Sequence, residues 1–489
     1  MTSVPGRLLT GASVVIVGAG MAGLAVAAEL ERRGHTDFLL LEAGPDRGFG
    51  HYRTVLDPAT ALQYWLRPEV DPDFWRPYEQ GDASFGGLAG LRRRTGGRSL
   101  YWHGITLPIE SWALREPDWP VDVVRDLTHG FGGGPPLYER TIEQLAQWVG
   151  RPTLHMTTAR LGNYILHEAP ESVRVESDGT RRVFSPLEHW RGDGRVPPVV
   201  NDVPALGLIA DGSGITGVRV STAGSDTYDV PARAVVLAAG TTENTRLVLQ
   251  LRGKAEDGSL RMPGLSDKVV HGFSAVLDRA DVPPWLANAA ARSVLFVAAA
   301  PDPLRSNLFL RTFTTDHGDC GVDAWLMGEQ RPDEYSGVSC TSTEQWPWPT
   351  KVTCSLSATD LVLADYQRRE LDAVRDALAQ AAHVALDSLV FDEFGSADLP
   401  KRLTAAQSAC PSSATLTYSF PLGSEQHESG TLPLGSVLNA QQGLRGVDRL
   451  YVHGACVFPR SGAANPSLTI LALAARLADH LVTAVGRPA

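Results

Sequence analysis

Runs of positive charge are nearly absent. The longest is Arg92, Arg93 and Arg94, and the 489-residue chain carries a net charge of −11 with a pI near 5.6. Nucleic acid and anionic membrane surfaces both require the opposite balance, so neither is expected as a partner. Cysteine is as scarce: five residues, Cys320, Cys340, Cys354, Cys410 and Cys456, odd in number, scattered and without a C-x-x-C. That pattern excludes a disulfide framework and a zinc site and fits a reducing cytoplasm. The opening MTSVPGRLLT lacks the charged-then-apolar layout of a signal peptide. No haem-attachment motif, internal repeat or low-complexity tract is present, and the loop HGFGGGPP at 129–136 is read as flexible. With 43% hydrophobic and 20% charged residues, the chain has the make-up of a globular protein long enough for two or three domains. Small-molecule chemistry is what remains.

Long charge-free runs are also few. One, GASVVIVGAGMAGLAVAAEL at 11–30, has no charge before Glu29 and could span a bilayer by count alone. Its glycines argue otherwise. They fall at Gly18, Gly20 and Gly23, where a β-branched strand would turn into a helix, and no membrane span is expected there.

That segment is a dinucleotide fingerprint. SVVIVGAGMAG joins a buried strand to G-x-G-x-x-G, the helix LAVAAELERRG follows, and DFLLLEAG supplies a second strand ending in Glu42. Gly18 permits the tight turn, Gly20 lets backbone approach a pyrophosphate, Gly23 lets helix and strand pack closely, and Glu42 can bind ribose hydroxyls. The glycines alone do not decide between FAD and NAD. A second strand, Ala234 to Ala239, reaches Gly240 before another helix, a turn that either borders the same nucleotide or is an ordinary α/β crossover.

Near the other end, RSGAANPSLTI places Asn465 before Pro466 and a long apolar run. Asn is a favoured N-cap and Pro suits the first helical position, so a helix is expected to begin there with Asn465 as its cap. Whether the Asn465 amide also faces a reaction is left open by local physics.

Taken in order, VVIVGAGMAGLAVAAEL, RRRTGGRSLYWHGITL, PDWPVD, VVLAAGTTENTRLVLQ, EQHESGT and LYVHGACVFPRSGAANPSLTILALAARLADHL resemble the glucose-methanol-choline (GMC) oxidoreductases, most closely the branch of pyranose oxidases and gluconate-type dehydrogenases. The resemblance implies an α/β fold: a discontinuous Rossmann-like FAD-binding domain (1–50, 86–130, 195–270 and 425–489) and a mixed-sheet substrate domain with covering segments (51–85, 131–194 and 271–424). It places Gly18, Gly20, Gly23 and Glu42 at the ADP side of FAD, Gly96, Gly97, Ser99 and Trp102 beside the flavin and its phosphates, and Val203 near adenine. Gly240 and Pro466 complete the cofactor contacts. The catalytic pair falls on His427 and Asn465. Where some pyranose oxidases carry a flavin-linked histidine this chain has Tyr101, with His103 out of register, so FAD is expected to be held non-covalently. Two other places depart from the family pattern: Leu432 follows Gly430-Thr431, and HGAC brings His453 and Cys456.

The chemistry suits these residues. Oxidising an alcohol removes a proton from oxygen and a hydride from carbon, and a positioned imidazole typically contributes about 10² to 10⁴ in rate. His427 is the candidate base, Asn465 the group holding the alcohol oxygen opposite it, and the positive end of the helix at Pro466 faces the reduced ring. Tyr101, Trp346 and Trp348 are candidate walls for a sugar ring or aromatic group. The leading expectation is oxidation of a secondary hydroxyl of a sugar, glycoside or polyol-like metabolite, with oxygen or a separate carrier as electron acceptor. A bulkier alcohol, a redox-neutral lyase on the same fold and a non-catalytic nucleotide-fold protein are the alternatives. In the substrate portion, SNLFLRTF and KVTCSLSA are predicted strands, and Leu371, Val374, Leu378, Ala382 and Ala385 one buried helix face.

Overall fold

A computed structural model describes residues 6–56, 58–81, 85–86, 88–150, 158–212, 214–222, 226–253, 260–300, 305–315, 317–391 and 415–486. Cys410 lies outside the described residues.

The β-branched strand Ala12–Val17 is buried on both faces and pairs in parallel with Phe38–Leu41 on one side and Thr227–Leu237 on the other. A strand covered on both sides reads as a continuous apolar run, which is how this one reads. Val199–Val200 extends the sheet beyond Phe38–Leu41, Leu450–Val452 adds to Thr227–Leu237, and Gly214–Ser221 with Ala205–Asp211 continues it as an antiparallel meander. The sheet is therefore assembled from three separated stretches of chain. Helices Met21–Arg32 and Ser467–Val485 pack against one another beside it. The second is long and apolar enough to cross a membrane by length and composition, yet two thirds of its apolar window is buried inside the molecule. Its Arg476 is paired with Asp122 and Asp126 at 3.0 and 2.9 Å.

The second large sheet is antiparallel throughout, in the order Thr415–Phe420, Lys268–Leu277, Cys320–Glu329, Ser306–Thr314, Leu295–Ala299, Tyr164–Glu168 and Thr158–Leu161. Strand side chains alternate between faces. Leu308, Leu310, Val322, Ala324 and Leu326 accordingly share a core with helix Ala358–Ala382, which is started by a capping box between Ser357 and Asp360. Phe309, Arg311, Asp323, Trp325, Met327, Tyr418 and Phe420 line a cavity on the opposite side.

Several expectations shift. Leu371, Val374, Leu378 and Ala382 are fully buried, but the helix ends at Ala382 with His383 at φ +54°, leaving Ala385 beyond it and exposed. Apolar spacing alone did not reveal that stop, because the left-handed cap is a histidine rather than the usual glycine. KVTCSLSA contributes only residues 351–353, to strand Thr350–Thr353 of a separate four-stranded sheet. The boundary drawn at 270 falls inside strand Lys268–Leu277, and helix Leu137–Val149, within the 131–194 covering segment, buries Leu137, Tyr138 and Leu145 in the nucleotide-domain core. The loop at 129–136 closes on itself through the Phe131–Gly134 bridge.

Candidate active site

A single cavity of about 620 Å³ runs from the glycine turn to the inner face of the second sheet. At one end Gly18 takes φ +100°, and any side chain there would strike the Ala238 carbonyl. A Cβ on Gly23 would lie 1.9 Å from the Gly18 oxygen, which fixes how closely the helix approaches the strand. Gly20 differs: nothing lies within 4 Å of its Cβ direction, and it borders the cavity. Glu42 accepts from the backbone N–H groups of Ala19 (3.0 Å) and Gly44 (2.9 Å). Burial pushes its carboxyl up to about 7. Val203, tied to the Glu42 carbonyl at 2.9 Å, and Gly240 complete this end.

Gly97, Tyr101 and Trp102 continue the wall. Gly23, Gly96 and Ser99 do not line it; they shape it from behind. Gly96 sits at φ +94° and donates to the Ala19 carbonyl at 2.8 Å, while the Ser99 hydroxyl bonds the Gly96 carbonyl (2.6 Å) and the Ser185 hydroxyl (2.7 Å). The residues of HGAC divide in the same way. Gly454 and Ala455 reach the cavity, whereas His453 is buried behind it against Gln442 and Cys456 against Asn244.

His427 and Asn465 both line this cavity. The His427 N–H donates to Asp267 at 3.1 Å, and the same carboxylate accepts from Gly423, so one buried acid fastens both ends of the turn. Next to it Glu428 takes two hydrogen bonds from Arg98, at 2.6 and 2.9 Å. Burial, then the charges of Lys268 and Arg98, hold the His427 imidazole well below its ordinary value, so it is neutral and able to accept a proton. Its Nδ1 is buried without a hydrogen-bond partner among the described residues.

The helix begins at Ser467, with Pro466 as the residue before it in helical conformation and no side-chain cap. Asn465 is thus not the N-cap. Pro466 continues the helical backbone, which moves the cap position one residue along, and the Asn465 amide oxygen is left buried with no partner among the described residues. The approach to it is heavily braced. Gly462 N–H bonds Glu329 (3.0 Å), Ala463 N–H bonds Glu110 (2.9 Å), and Lys268 Nζ donates to Ser461 Oγ (3.0 Å) and the Gly462 carbonyl.

Trp346 and Trp348 do not line the cavity. Trp346 is largely exposed over Gly207, Trp348 is buried in the first core, and only Pro347 between them reaches the site. The aromatic wall comes from Trp65, Phe309, Trp325, Tyr418 and Phe420, with Phe309 stacked on Trp325 at 5.2 Å and Tyr418 on Phe420 at 5.2 Å. None of these was singled out in the sequence, and neither were Arg53, Arg311, Asp323 and Glu425, which also border the cavity. His103, set aside on register, is here as well, its imidazole held well below the ordinary value by burial and by Arg53 and Arg311. The available signal was strand alternation, which pairs Phe309 with Arg311 and Asp323 with Trp325 without telling which face is hollow.

A cavity lined by a glycine turn, the buried Glu42 carboxyl, His427 and Asn465 fits a dinucleotide-dependent oxidoreductase with a separate substrate domain. Residues 16–72 match an NAD(P)-binding Rossmann-like domain model and residues 354–474 the GMC oxidoreductase C-terminal model. Over 96% of its length the chain is 25% identical to 5-(hydroxymethyl)furfural oxidase of Methylovorus sp. (strain MP688), covering 98% of that protein. Pyridoxine 4-oxidase from Mesorbium loti superposes with a TM-score of 0.60 at 16% identity, covering 96% of this chain and 99% of that one. A variant of formate oxidase from Aspergillus oryzae RIB40 superposes with a TM-score of 0.63 at 15% identity, covering 97% and 98%. The chain is an FAD-dependent oxidoreductase acting on CH–OH groups, and its C-terminal region is similar to that of the GMC oxidoreductases. The residues fit that cofactor: open backbone at Gly20, the buried Glu42 carboxyl, and two unpartnered polar atoms where the reacting end would lie.

Proposed function

We propose that this enzyme oxidises the hydroxyl of a small ring-bearing alcohol, with His427 taking the hydroxyl proton and Asn465 holding the same oxygen. Bound FAD supplies the hydride acceptor. The observation that carries the reading is the pair of orphaned atoms, His427 Nδ1 and Asn465 Oδ1, brought from separate turns to one cavity. A buried polar atom without a partner costs about 1–3 kcal/mol, so two together mark a place where a polar ligand belongs. Because His427 is uncharged in the resting site, it can act as a base, and Asp267 keeps its turn in place. The aromatic wall suits a flat ring or the apolar face of a sugar. The secondary hydroxyl of a sugar, glycoside or polyol-like metabolite is the substrate class to which the sequence resemblance points, and oxygen or a separate carrier would then take the electrons. GMC-type oxidation of furfuryl or pyridine-ring alcohols, as in the relatives' names, is the second reading, favoured by the stacked rings of the wall.

Anaerobic mixing with a panel of sugars, glycosides and arylmethanols, monitored by bleaching of the yellow cofactor, tests the assignment. His427→Ala should keep FAD and slow bleaching by at least about 10²-fold. Bleaching at the parental rate removes His427 from the reaction.

A further inference from the structure

Arg311 is a half-buried charged group in the site whose guanidinium is not paired directly with an acid, although Glu171 and Asp323 lie near enough to act on it. It projects from strand Ser306–Thr314 into the cavity, and its guanidinium makes no hydrogen bond and no ion pair within 4.0 Å to any described residue. Its cross-strand neighbour is Asp323, one of whose oxygens already accepts from Tyr418 Oη (2.7 Å) and Ser274 Oγ (3.1 Å). Glu171, the other nearby acid, is engaged with Arg181 at 3.5 Å. A second guanidinium, Arg53, lies at the exposed edge of the same cavity, anchored to Tyr52 Oη through its Nε (3.0 Å). Burial lowers the Arg311 value, and Arg53 lowers it further, so two like charges are held near one another at a desolvation cost. Among the other groups facing this end, His103 and His427 are neutral, and Glu425, pushed up to about 8 by burial, is protonated at neutral pH.

Taking a cation partly out of water is costly, and a counter-charge offsets that cost. Here the Arg311 and Arg53 side chains border the cavity. Resting on the alcohol-oxidation reading, we propose that the substrate carries a carboxylate, bound by Arg311 and Arg53 in the cavity that His427 and Asn465 also line. Charge favours an anion, because two guanidinium groups border the cavity here. Guanidinium forks also match carboxylate geometry, which makes such pairs directional. The aromatic wall of the same cavity holds the ring connecting acid and alcohol.

The test compares para-(hydroxymethyl)benzoate with its methyl ester in anaerobic cofactor bleaching, and benzoate with benzamide in equilibrium dialysis against the holoenzyme. The acid should exceed the ester in kcat/KM, and benzoate should bind more tightly than benzamide, each by at least about 10-fold. Arg311→Gln should collapse both ratios toward one, and Arg53→Gln, at the exposed edge where folding is not at stake, should lower them in the same direction. If the ester is oxidised as well as the acid, or if benzoate and benzamide bind alike, the carboxylate clamp is wrong while alcohol oxidation stands. If no alcohol bleaches the cofactor yet benzoate binding depends on Arg311, the oxidation reading fails and the clamp survives.

Discussion

Among single residues, Asn465 separates two roles that its sequence context could not. Asn before Pro is an ordinary helix start, and a capping role would hide any chemical one. The structure puts Pro466 at the helix boundary and leaves the Asn465 carboxamide oxygen unpaired in the cavity. The two roles differ in what alanine does. Loss of a cap costs about 1 kcal/mol of stability with little direct effect on chemistry. Loss of a group that positions the reacting oxygen slows the reaction by about 10²-fold. Asn465→Ala is therefore expected to melt within a degree or two of the parent while its cofactor bleaching slows at least 10²-fold. A clear drop in Tm with unchanged bleaching would return Asn465 to a structural role. The same contrast explains why aromatic residues misled: Trp346 and Trp348 stand out in the sequence, but a tryptophan fills a core as readily as it walls a site, and these two cover Gly207 and the first core.

Within elements, the strand–turn–helix at Ala12–Arg32 was readable because each glycine answers a local need that no other residue meets. Those needs are distinct, and that makes them separable by mutation. At Gly23 an added methyl meets the Gly18 carbonyl at 1.9 Å, so Gly23→Ala forces strand and helix apart. At Gly20 the backbone is extended at φ −87° and the added methyl meets only the cavity. Gly20→Ala should then fold with the thermal midpoint of the cofactor-free parent yet bind FAD at least about 10-fold more weakly, because the methyl occupies the approach to the pyrophosphate. Gly23→Ala should lose stability even without cofactor. Parental FAD affinity in Gly20→Ala would show that the cofactor does not pass this turn. By contrast, the helix end at His383 was not legible, since nothing in its composition marks a left-handed cap.

For the molecule as a whole, the nucleotide half could be read from local motifs, but the substrate half depends on which face of an antiparallel sheet is left hollow. Alternation in SNLFLRTF shows that Leu308 and Leu310 face one way and Phe309 and Arg311 the other; only the packing of helix Ala358–Ala382 against the first set decides that the second borders the cavity. That hollow carries a cost visible across pH. Glu425 borders it with its carboxyl pushed up to about 8, burial being the main cause and Asp267 adding to it. In the unfolded chain a glutamate titrates at about 4.3, so between that value and about 8 the folded protein retains a proton the unfolded chain has lost. Stability then falls as pH rises through this window, by at most about 1.4 kcal/mol per pH unit for one such group. Buried histidines act in the opposite sense: His51 and His271, lowered to about 4, and His453, lowered to about 3, stay neutral in the fold while the unfolded chain is protonated. Their contribution rises with pH but is complete above about 6.5. From there to about pH 8 the raised carboxyls act without that compensation, Glu42 fading near 7 and Glu425 continuing to about 8. Urea unfolding at successive pH values should show stability declining over that interval, and Glu425→Gln, which is neutral throughout, should make the decline measurably shallower. An identical slope in the variant would mean that Glu425 is ionised in the folded enzyme and that this end of the cavity is better solvated than its burial implies.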